Sequence, residues 1–315
     1  MNKKQIGTTD IKVAPFNLGG NVFGWTLDEK KSFEILDAFV DAGFDFIDTA
    51  DMYSYWIDGG AGGQSETIIG KWLKARNNRD KVIIATKVGG PTGVNETDTS
   101  RKHILETVEK SLKRLQTDYI DVYYTHYDDE KTPIEETLST YDELIKQGKV
   151  RHIAASNISP ERLRESMEIS EKNNLPKYQA LQPLYNLVER EGYEKNYAPL
   201  VEEFSLTAFP YSALASGFLT GKYRSKDDFS KSVRGQGVAN YLNDKGLNIL
   251  KALDELAEKH NTVPATISLA WLSAQPNIGG PVASATSIEQ LNQILASTQI
   301  DLSKEDLELL DKVSR

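Results

Sequence analysis

The sequence predicts an α/β fold of the (β/α)8 TIM-barrel type, and three observations favour it. Strand-sized apolar runs alternate with amphipathic helical segments about eight times along the 315 residues, a pattern typical of a parallel sheet. The run at residues 81–87 is apolar almost throughout, as expected for a strand that is buried on both faces. Eight strand–helix units in roughly 250–300 residues match the size of a closed parallel barrel.

The predicted units follow one another along the chain, behind a short N-terminal β-hairpin. We expect strands at residues 16–18, 45–48, 81–87, 119–124, 150–155, 177–181, 206–211 and 280–282. Apolar residues spaced three or four apart predict helices over 33–40, 105–115, 134–145, 247–257 and 288–295. Gly148 is typical of a helix C-terminus, and Ser159 followed by Pro160 predicts the start of a further helix.

The units are expected to form one domain over residues 1–315. No segment rich in proline or serine and no low-complexity stretch separates them, although residues 217–240 are predicted to be irregular. A doubly wound fold, which is the alternative, would carry a glycine-rich dinucleotide turn after its first strand. This chain has FNLGGN at 16–21, which does not fit G-x-G-x-x-G, so the barrel is favoured.

Composition narrows the possible partners. The net charge of −9 and a pI of about 5.2 disfavour binding to nucleic acid phosphates. The N-terminal residues lack the apolar run of a signal peptide, and no stretch reaches the roughly 18 apolar residues of a membrane span. The absence of cysteine fits a reducing compartment. We therefore expect a cytoplasmic protein without a nucleic acid or membrane partner.

Four polar residues stand where predicted strands end. Asp48 and Lys87 end the second and third strands, His126 follows the fourth, and Tyr53 lies five residues beyond Asp48. In a parallel barrel the active site lies at the C-terminal ends of the strands, so these side chains should meet. Taken alone, Asp48, Tyr53 and His126 also have a structural interpretation, as a turn cap, a packed aromatic residue and a satisfied histidine. Lys87 is harder to explain in this way, because a lysine that follows an apolar strand should face a partner at the strand end. Together, at adjacent strand ends, they favour a functional site.

The four residue types can form a proton-donating device. Tyrosine, with an ordinary pKa of about 10, is a neutral acid at pH 7. A nearby lysine ammonium favours the phenolate and lowers the pKa of the tyrosine, and a carboxylate beside the lysine keeps it charged and in place. A histidine can hydrogen-bond a carbonyl oxygen and hold the substrate.

Several segments resemble the aldo-keto reductase family. FIDTADMYS at 46–54, followed by Ser65, Glu66 and Gly70, resembles the signature around the catalytic aspartate and tyrosine. IIATK at 83–87 and YIDVYYTH at 119–126 resemble the lysine and histidine strands, and GKVRHIAASN at 148–157 resembles a further family segment. The resemblance spans nearly the whole chain. It implies reversible reduction of an aldehyde or ketone by NADPH, or by NADH, with Tyr53 as the general acid.

The resemblance also implies a cofactor site. Ser156, Asn157 and Gln182 would hold the nicotinamide carboxamide, and the ring of Tyr211 would stack on the nicotinamide. The family's pyrophosphate loop corresponds to SALASGFLTGKY at 212–223, which places Ser212, Leu214, Ser216, Gly217 and Lys222 at the cofactor. At the adenosine end, the matching residues are Ser284, Thr286 and Gln290.

The adenosine end departs from the family pattern. Residues 281–291 contain no Lys or Arg, Ile294 stands where asparagine is common, and Ala213 replaces a usual proline. NADP is therefore the family default for this chain, with NAD as the other possibility. Arg224 and Arg234, in the long irregular stretch, are candidates to pair with a 2′-phosphate.

The substrate pocket is expected to have aromatic walls, formed by Trp25, Tyr53, Tyr55 and Trp56. Such walls suit sugars, steroids and aryl aldehydes alike. A set of acidic residues near the mouth would disfavour anionic substrates: Asp51, Asp58, Asp128 and Asp129. The glycine-rich residues 56–63 are interpreted as a pocket edge. The sequence leaves the physiological carbonyl, the direction and the oligomeric state open.

Three other functions are less well supported by the sequence than the reductase. A cofactor-binding regulatory subunit of a channel would tolerate loss of the tyrosine or the histidine, whereas both are present here. A metal-dependent hydrolase needs clustered ligands, but the four histidines include no His-x-His pair: His103, His126, His152 and His260. No metal is therefore expected. The match of YLNDK at 241–245 to the Y-x-x-x-K of short-chain dehydrogenases is by chance, since these residues resemble a helix start.

Overall fold

An antiparallel hairpin precedes the barrel. The computed structural model describes residues 2–57, 61–92, 96–232 and 235–315. Strands β1 (Lys4–Gln5) and β2 (Lys12–Val13) form the hairpin, as the sequence predicts. The Gly7 N–H donates to Thr207 Oγ1 at 2.8 Å and the Ala14 N–H donates to Asp45 Oδ1 at 2.8 Å, so the hairpin is tied to two places on the main sheet.

Eight parallel strands form the main sheet. In chain order they are β3 (Asn17–Gly19), β4 (Phe46–Asp48), β5 (Ile83–Val88), β6 (Ile120–Thr125), β7 (Val150–Ser156), β8 (Ala180–Gln182), β9 (Thr207–Ala208) and β10 (Val282–Ala283). From β3 to β9 each strand pairs with the next in sequence, and β10 pairs with β3. The Gly279 N–H donates to Ala208 O and the Val282 N–H donates to Pro210 O, both at 2.9 Å. These bonds close the ring, and the predicted (β/α)8 fold is confirmed.

Helices surround the sheet. They are α1 (Glu29–Asp41), α2 (Gln64–Arg76), α3 (Arg101–Leu115), α4 (Ile134–Lys146), α5 (Pro160–Asn173), α6 (Glu191–Asn196), α7 (Ala198–Glu203), α8 (Asp244–Lys259), α9 (Pro264–Ser273), α10 (Ile288–Leu295) and α11 (Lys304–Ser314). Side-chain caps begin several of them: Asp28, Ser100, Ser159, Asn243 and Ser287 each accept a bond from the first turn.

The core has two layers. Apolar side chains on the strands pack outward against the helices, and a second set fills the barrel interior, including Phe46, Val122, Tyr124 and Phe209. The hairpin contributes Ile6, Ile11 and Val13 to the same interior cluster. The hairpin therefore closes one end of the barrel, and the strands' C-terminal ends remain open at the other.

Some elements differ from the sequence prediction, for identifiable reasons. Helix α9 was not predicted, because residues 265–272 are buried without exception and a helix that is covered on all sides shows no apolar stripe. Helices α2, α6, α7 and α11 were not predicted either. Strand β8 begins three residues later than predicted. Strand β9 is shorter than predicted, since Pro210 lies just beyond it and proline has no N–H for a strand ladder. Residues 215–241 include three 3-10 segments. Within the described ranges, no helix combines the length and apolarity that a membrane crossing requires.

Gly70 lies where α2 packs on α3, and its substitution tests how closely the two helices approach. A Cβ at this position would lie 2.0 Å from the Arg114 carbonyl oxygen and 2.6 Å from the Leu115 carbonyl carbon. Because both obstacles are backbone atoms, we expect Gly70→Ala to lower the free energy of unfolding by about 2–3 kcal/mol in urea titrations. Gly192, also helical, has no atom within 4 Å of such a Cβ. Gly192→Ala should be neutral or slightly stabilising, and equal losses in both variants would contradict the packing argument.

Candidate active site

The sheet brings the four predicted residues to one rim. Asp48 is the last residue of β4 and Lys87 the second-last of β5, and β4 and β5 pair in parallel. His126 directly follows β6, and its N–H donates to Val88 O at 2.8 Å. Tyr53 lies in the turn after β4. The four side chains thus converge at the open end of the barrel.

Lys87 lies at the centre of this group. Its side chain is 0% exposed. Its Nζ donates to Asp48 Oδ2 at 2.6 Å, to the Thr49 carbonyl oxygen at 2.7 Å and to Tyr53 Oη at 2.9 Å. An ammonium group has three protons, so every one has an acceptor. Burial lowers the pKa of Lys87 from its ordinary value, and the charge of Asp48 opposes that shift.

Asp48 links the lysine to the neighbouring strands. Its Oδ2 accepts from Lys87 and, at 3.3 Å, from the Tyr53 hydroxyl. Its Oδ1 accepts from Gln182 Nε2 at 2.9 Å. The carboxylate is therefore held on both oxygens and cannot rotate without breaking one of these contacts.

His126 faces the tyrosine as a neutral ring. The rings of His126 and Tyr53 meet edge to face with centroids 6.0 Å apart. Burial and then the charge of Lys87 lower the pKa of His126 well below its ordinary value. Its Nδ1 is inaccessible to water and has no hydrogen-bond partner in the described part of the chain. A neutral imidazole beside an ammonium can bond a substrate oxygen without adding a second positive charge.

A cleft of about 1020 Å³ opens onto this group. Asp48, Tyr53 and His126 lie on its wall, whereas Lys87 lies behind them. The structure places the complete set of sequence-predicted cofactor residues along the same cleft: Ser156, Asn157, Gln182, Tyr211, Ser212, Leu214, Ser216, Gly217, Lys222, Ser284, Thr286 and Gln290. The cleft thus runs from the rim of the barrel to the start of α10.

Near the rim, the cleft residues hold one another in place. The Asn157 amide donates to the His126 carbonyl oxygen at 2.8 Å, and Tyr211 donates to Asn157 Oδ1 at 3.2 Å. Ser156 donates to the Gln182 carbonyl oxygen at 2.8 Å. These contacts join the ends of β6, β7 and β8 and fix the ring of Tyr211 beside the cleft.

The loop after β9 has an unusual backbone. Ser212, Ala215, Ser216 and Gly217 have φ values of 52°, 48°, 56° and 92°, a left-handed region that costs non-glycine residues energy. A Cβ on Gly217 would lie 3.2 Å from Lys222 Nζ. The missing side chain leaves room beside the ammonium group, and the loop presents that cation to the cleft.

The predicted aromatic wall lies beside the cleft. Trp25, Tyr55 and Trp56 are absent from the described residues that line it. Their rings form one cluster, in which Trp56 lies 5.5 Å from Trp25 and 5.4 Å from Tyr55. Trp56 also lies 6.2 Å from the ring of Tyr53 and is 40% exposed. The cluster therefore extends outward from Tyr53.

Three charged residues behave differently from the sequence expectation. The Arg224 guanidinium donates to Asp254 at 2.7 Å and to the Gly221 carbonyl oxygen at 2.8 Å, so it is already engaged. Asp128 pairs with Arg162 at 2.8 Å, and Asp129 accepts from Thr132 Oγ1 and from two backbone N–H groups. These partners weaken the expected repulsion of anions. Arg234 and Asp58 lie outside the described residues.

Two lysines on the cleft were not predicted from the sequence. Lys31, in the first turn of α1, and Lys231 both line it. Lys231 pairs with Asp228 at 2.7 Å and donates to the Lys222 carbonyl oxygen at 3.0 Å. Nothing in their local sequence marks either residue. Lys31 reaches the cleft because the folded ring brings α1 beside α10, and Lys231 lies in the irregular stretch after β9.

A second charged cluster lies behind the rim. Glu66 is 0% exposed and accepts from Thr86 at 2.5 Å and from Arg114 Nε at 2.7 Å. The Asp51 N–H donates to the Lys87 carbonyl oxygen at 3.3 Å. The Asp51 Oδ1 is inaccessible to water, and no described residue bonds to it. Burial, followed by the charge of Glu66, raises the pKa of Asp51 to about 7.

The raised pKa of Asp51 predicts a pH-dependent stability. Unfolded aspartate has a pKa of about 3.9, so between about pH 4 and pH 7 the folded state retains a proton that the unfolded state releases. Stability must therefore fall as pH rises through this window. Relative to the unaltered protein, the free energy of unfolding of Asp51→Asn should therefore rise by roughly 2–3 kcal/mol from pH 5 to pH 8.

Urea titrations at the two pH values measure this change. Asp80→Asn, at an exposed carboxylate, is the matched control and should show the same offset at both pH values. If the offset of Asp51→Asn is also independent of pH, the carboxyl group of Asp51 does not titrate near neutrality in the folded state.

Comparison with known proteins places the geometry in context. A profile of the aldo/keto reductase family matches residues 15–315. The chain is 32% identical to the uncharacterized oxidoreductase YrpG of Bacillus subtilis, over 99% of this chain and 96% of that protein. It is 34% identical to aldo-keto reductase YhdN of the same species, over 96% and 88%.

A further relative is named as a channel subunit and not as an oxidoreductase. The chain is 33% identical to a probable voltage-gated potassium channel subunit beta of Oryza sativa subsp. japonica, over 92% of this chain and 89% of that protein. Across the four described ranges, no group of three or more His, Asp or Glu side chains is arranged to hold a metal ion.

Proposed function

This chain belongs to the aldo/keto reductase family of oxidoreductases, and from that premise we propose that it reduces an aldehyde or ketone with NADPH, and oxidises the alcohol in reverse. The proposal places the whole activity in one domain over residues 1–315. The observation that carries it is the triple contact of Lys87 Nζ with Tyr53 Oη, Asp48 Oδ2 and the Thr49 carbonyl oxygen.

In this proposal, Tyr53 is the general acid. NADPH, when bound, supplies the hydride that the carbonyl carbon accepts. Tyr53 lies on the cleft wall, and the bond from its hydroxyl to Asp48 is long, at 3.3 Å. In the proposal this hydroxyl gives its proton to the carbonyl oxygen. The Lys87 ammonium, 2.9 Å from the phenolic oxygen, stabilises the negative charge that remains after the proton leaves. In the oxidative direction, the phenolate takes the proton of the alcohol.

Asp48 and His126 have supporting roles. Asp48 pairs with Lys87 and accepts from Gln182, which keeps the ammonium charged and directed at Tyr53. The ring of His126 stands edge-on to Tyr53 and is neutral because burial lowers its pKa. It orients the carbonyl oxygen towards the phenol by a hydrogen bond, without competing as an acid.

The donors along the cleft fit a dinucleotide cofactor. Amide and hydroxyl groups of Ser156, Asn157 and Gln182 stand beside the rim and would hold the carboxamide, with Tyr211 against the ring. The Lys222 ammonium beside Gly217 would meet the pyrophosphate. The length of the cleft is consistent with an extended ligand. Beyond Tyr53, the cluster of Trp25, Tyr55 and Trp56 would form an apolar wall for the substrate.

Removal of one hydroxyl group tests the proposal. We expect Tyr53→Phe to lower turnover of a reactive aromatic aldehyde by at least about a hundredfold, because a general acid is lost. NADPH binding, followed by quenching of the fluorescence of the four tryptophans, should stay within about twofold. Tyr119→Phe, just before β6 and remote from the rim, is the matched control and should keep full turnover. Full turnover in Tyr53→Phe would mean that another group donates the proton.

A panel of carbonyl compounds with NADPH and NADH in parallel tests the wider assignment. Consumption of either cofactor with at least one aldehyde or ketone is the expected result. The rice relative is named as a channel subunit, which keeps a cofactor-binding regulatory role as the second candidate. Tight cofactor binding without turnover of any compound in the panel would favour that role over the reductase.

A further inference from the structure

We propose that Lys31 is the residue that selects NADPH over NADH, by pairing with the 2′-phosphate of the cofactor. The inference rests on the proposed function, since it concerns the adenosine end of the same cleft. Residues 281–291 contain no Lys or Arg, so they offer no cation to the 2′-phosphate. The inference assigns this role to the first turn of α1.

The ring topology places α1 beside α10. Strands β10 and β3 are paired neighbours, so the helices that follow them, α10 and α1, are neighbours too, and they pack against each other. In a (β/α)8 barrel, each helix begins at the C-terminal face of the strands. Lys31 and Gln290 are each the third residue of their helix. Both therefore lie in a first turn at the open face.

The helical period directs Lys31 towards α10. Helix α1 also packs on α2, and Glu29 marks that side because it pairs with Lys71 of α2 at 2.5 Å. Successive residues are rotated by about 100°. Lys31 is thus about 200° from Glu29, on the opposite flank of the helix, while the buried Ser32 and Leu36 point to the core and Lys30 points to solvent.

The cleft confirms this direction. Lys31 lines it together with Gln290, Gln293 and Ile294 of α10, whereas Lys30 does not. In the described part of the chain, the Lys31 ammonium makes no hydrogen bond or ion pair, and the side chain is exposed. A phosphomonoester carries a charge of about −1.5 to −2 at pH 7, and a flexible lysine can reach it as a point charge.

The other described cations near the cleft are less suited. Arg224 pairs with Asp254 and does not line the cleft. Lys231 lines it but pairs with Asp228. Lys222 lies beside Gly217, in the loop after β9. The hydroxyl group of Thr286, which now donates to Gln290 Oε1 at 2.9 Å, can complete the phosphate site as a neutral donor.

Two fragments that differ only in the 2′-phosphate give a test independent of turnover. Calorimetry would measure the dissociation constants of 2′,5′-ADP and 5′-AMP for the unaltered protein and for Lys31→Ala. We expect Lys31→Ala to weaken 2′,5′-ADP about tenfold and to leave 5′-AMP within about twofold. Lys31→Arg should retain most of the preference because it keeps the charge. Lys30→Ala, which changes net charge equally one residue away, should change neither ligand.

Several results would overturn the inference. If Lys31→Ala weakened both fragments equally, or if Lys30→Ala and Lys31→Ala had equal effects on the dissociation constants, Lys31 would act only through the net charge of the protein and not by contact with the 2′-phosphate. Loss of the preference in Lys231→Ala alone would move the role to Lys231. If the unaltered protein binds NADPH and NADH equally by tryptophan quenching, Lys31 selects nothing, although the reductase proposal stands. If it binds neither cofactor, the proposed function fails as well.

Discussion

The burial of one ammonium group organises the open end of this barrel. Transfer of a lone lysine charge into a protein interior is strongly unfavourable, yet Lys87 is 0% exposed. Three oxygen acceptors from the turn and strand of β4 compensate for the lost water. Each acceptor must stand at hydrogen-bond distance, so the requirement fixes Asp48, the backbone at Thr49 and the phenol of Tyr53 together. The proposed chemistry of the site and the stability of this end of the barrel thus depend on the same contacts.

A second group of charged residues lies behind the buried ammonium of Lys87. Behind Lys87 lie Glu66, paired with Arg114, and Asp51, whose backbone bonds to that of Lys87. Counted with Asp48, three carboxyl groups share two cations. Burial is the main cause that raises the pKa of Asp51 to about 7, and the nearby charge of Glu66 raises it further, while the charges of Arg114 and Lys87 oppose the shift. Electrostatic balance is therefore a property of the whole group.

The sequence predicted the parts of the structure whose physics is local. Alternation of apolar runs was sufficient for the eight strands and their closure, and polar residues at strand ends such as Asp48 and Lys87 were sufficient to foresee that these side chains meet at one rim. What the sequence did not predict depends on neighbours distant along the chain. Helix α9 has no polar face because other elements cover it on all sides. The engagement of Arg224 by Asp254 and the position of Lys31 beside α10 depend on the closed ring.

The hairpin that seals the far end has a practical consequence. Ile6, Ile11 and Val13 form the floor of the barrel, on the side opposite the cleft. A tether attached ahead of the hairpin would leave the protein at the end of the barrel opposite the cleft. The protein could therefore be immobilised on a solid support through its first residues, with the cleft exposed to the solution. Trimming those residues, in contrast, would remove the floor and admit water to Phe46, Val122 and Phe209.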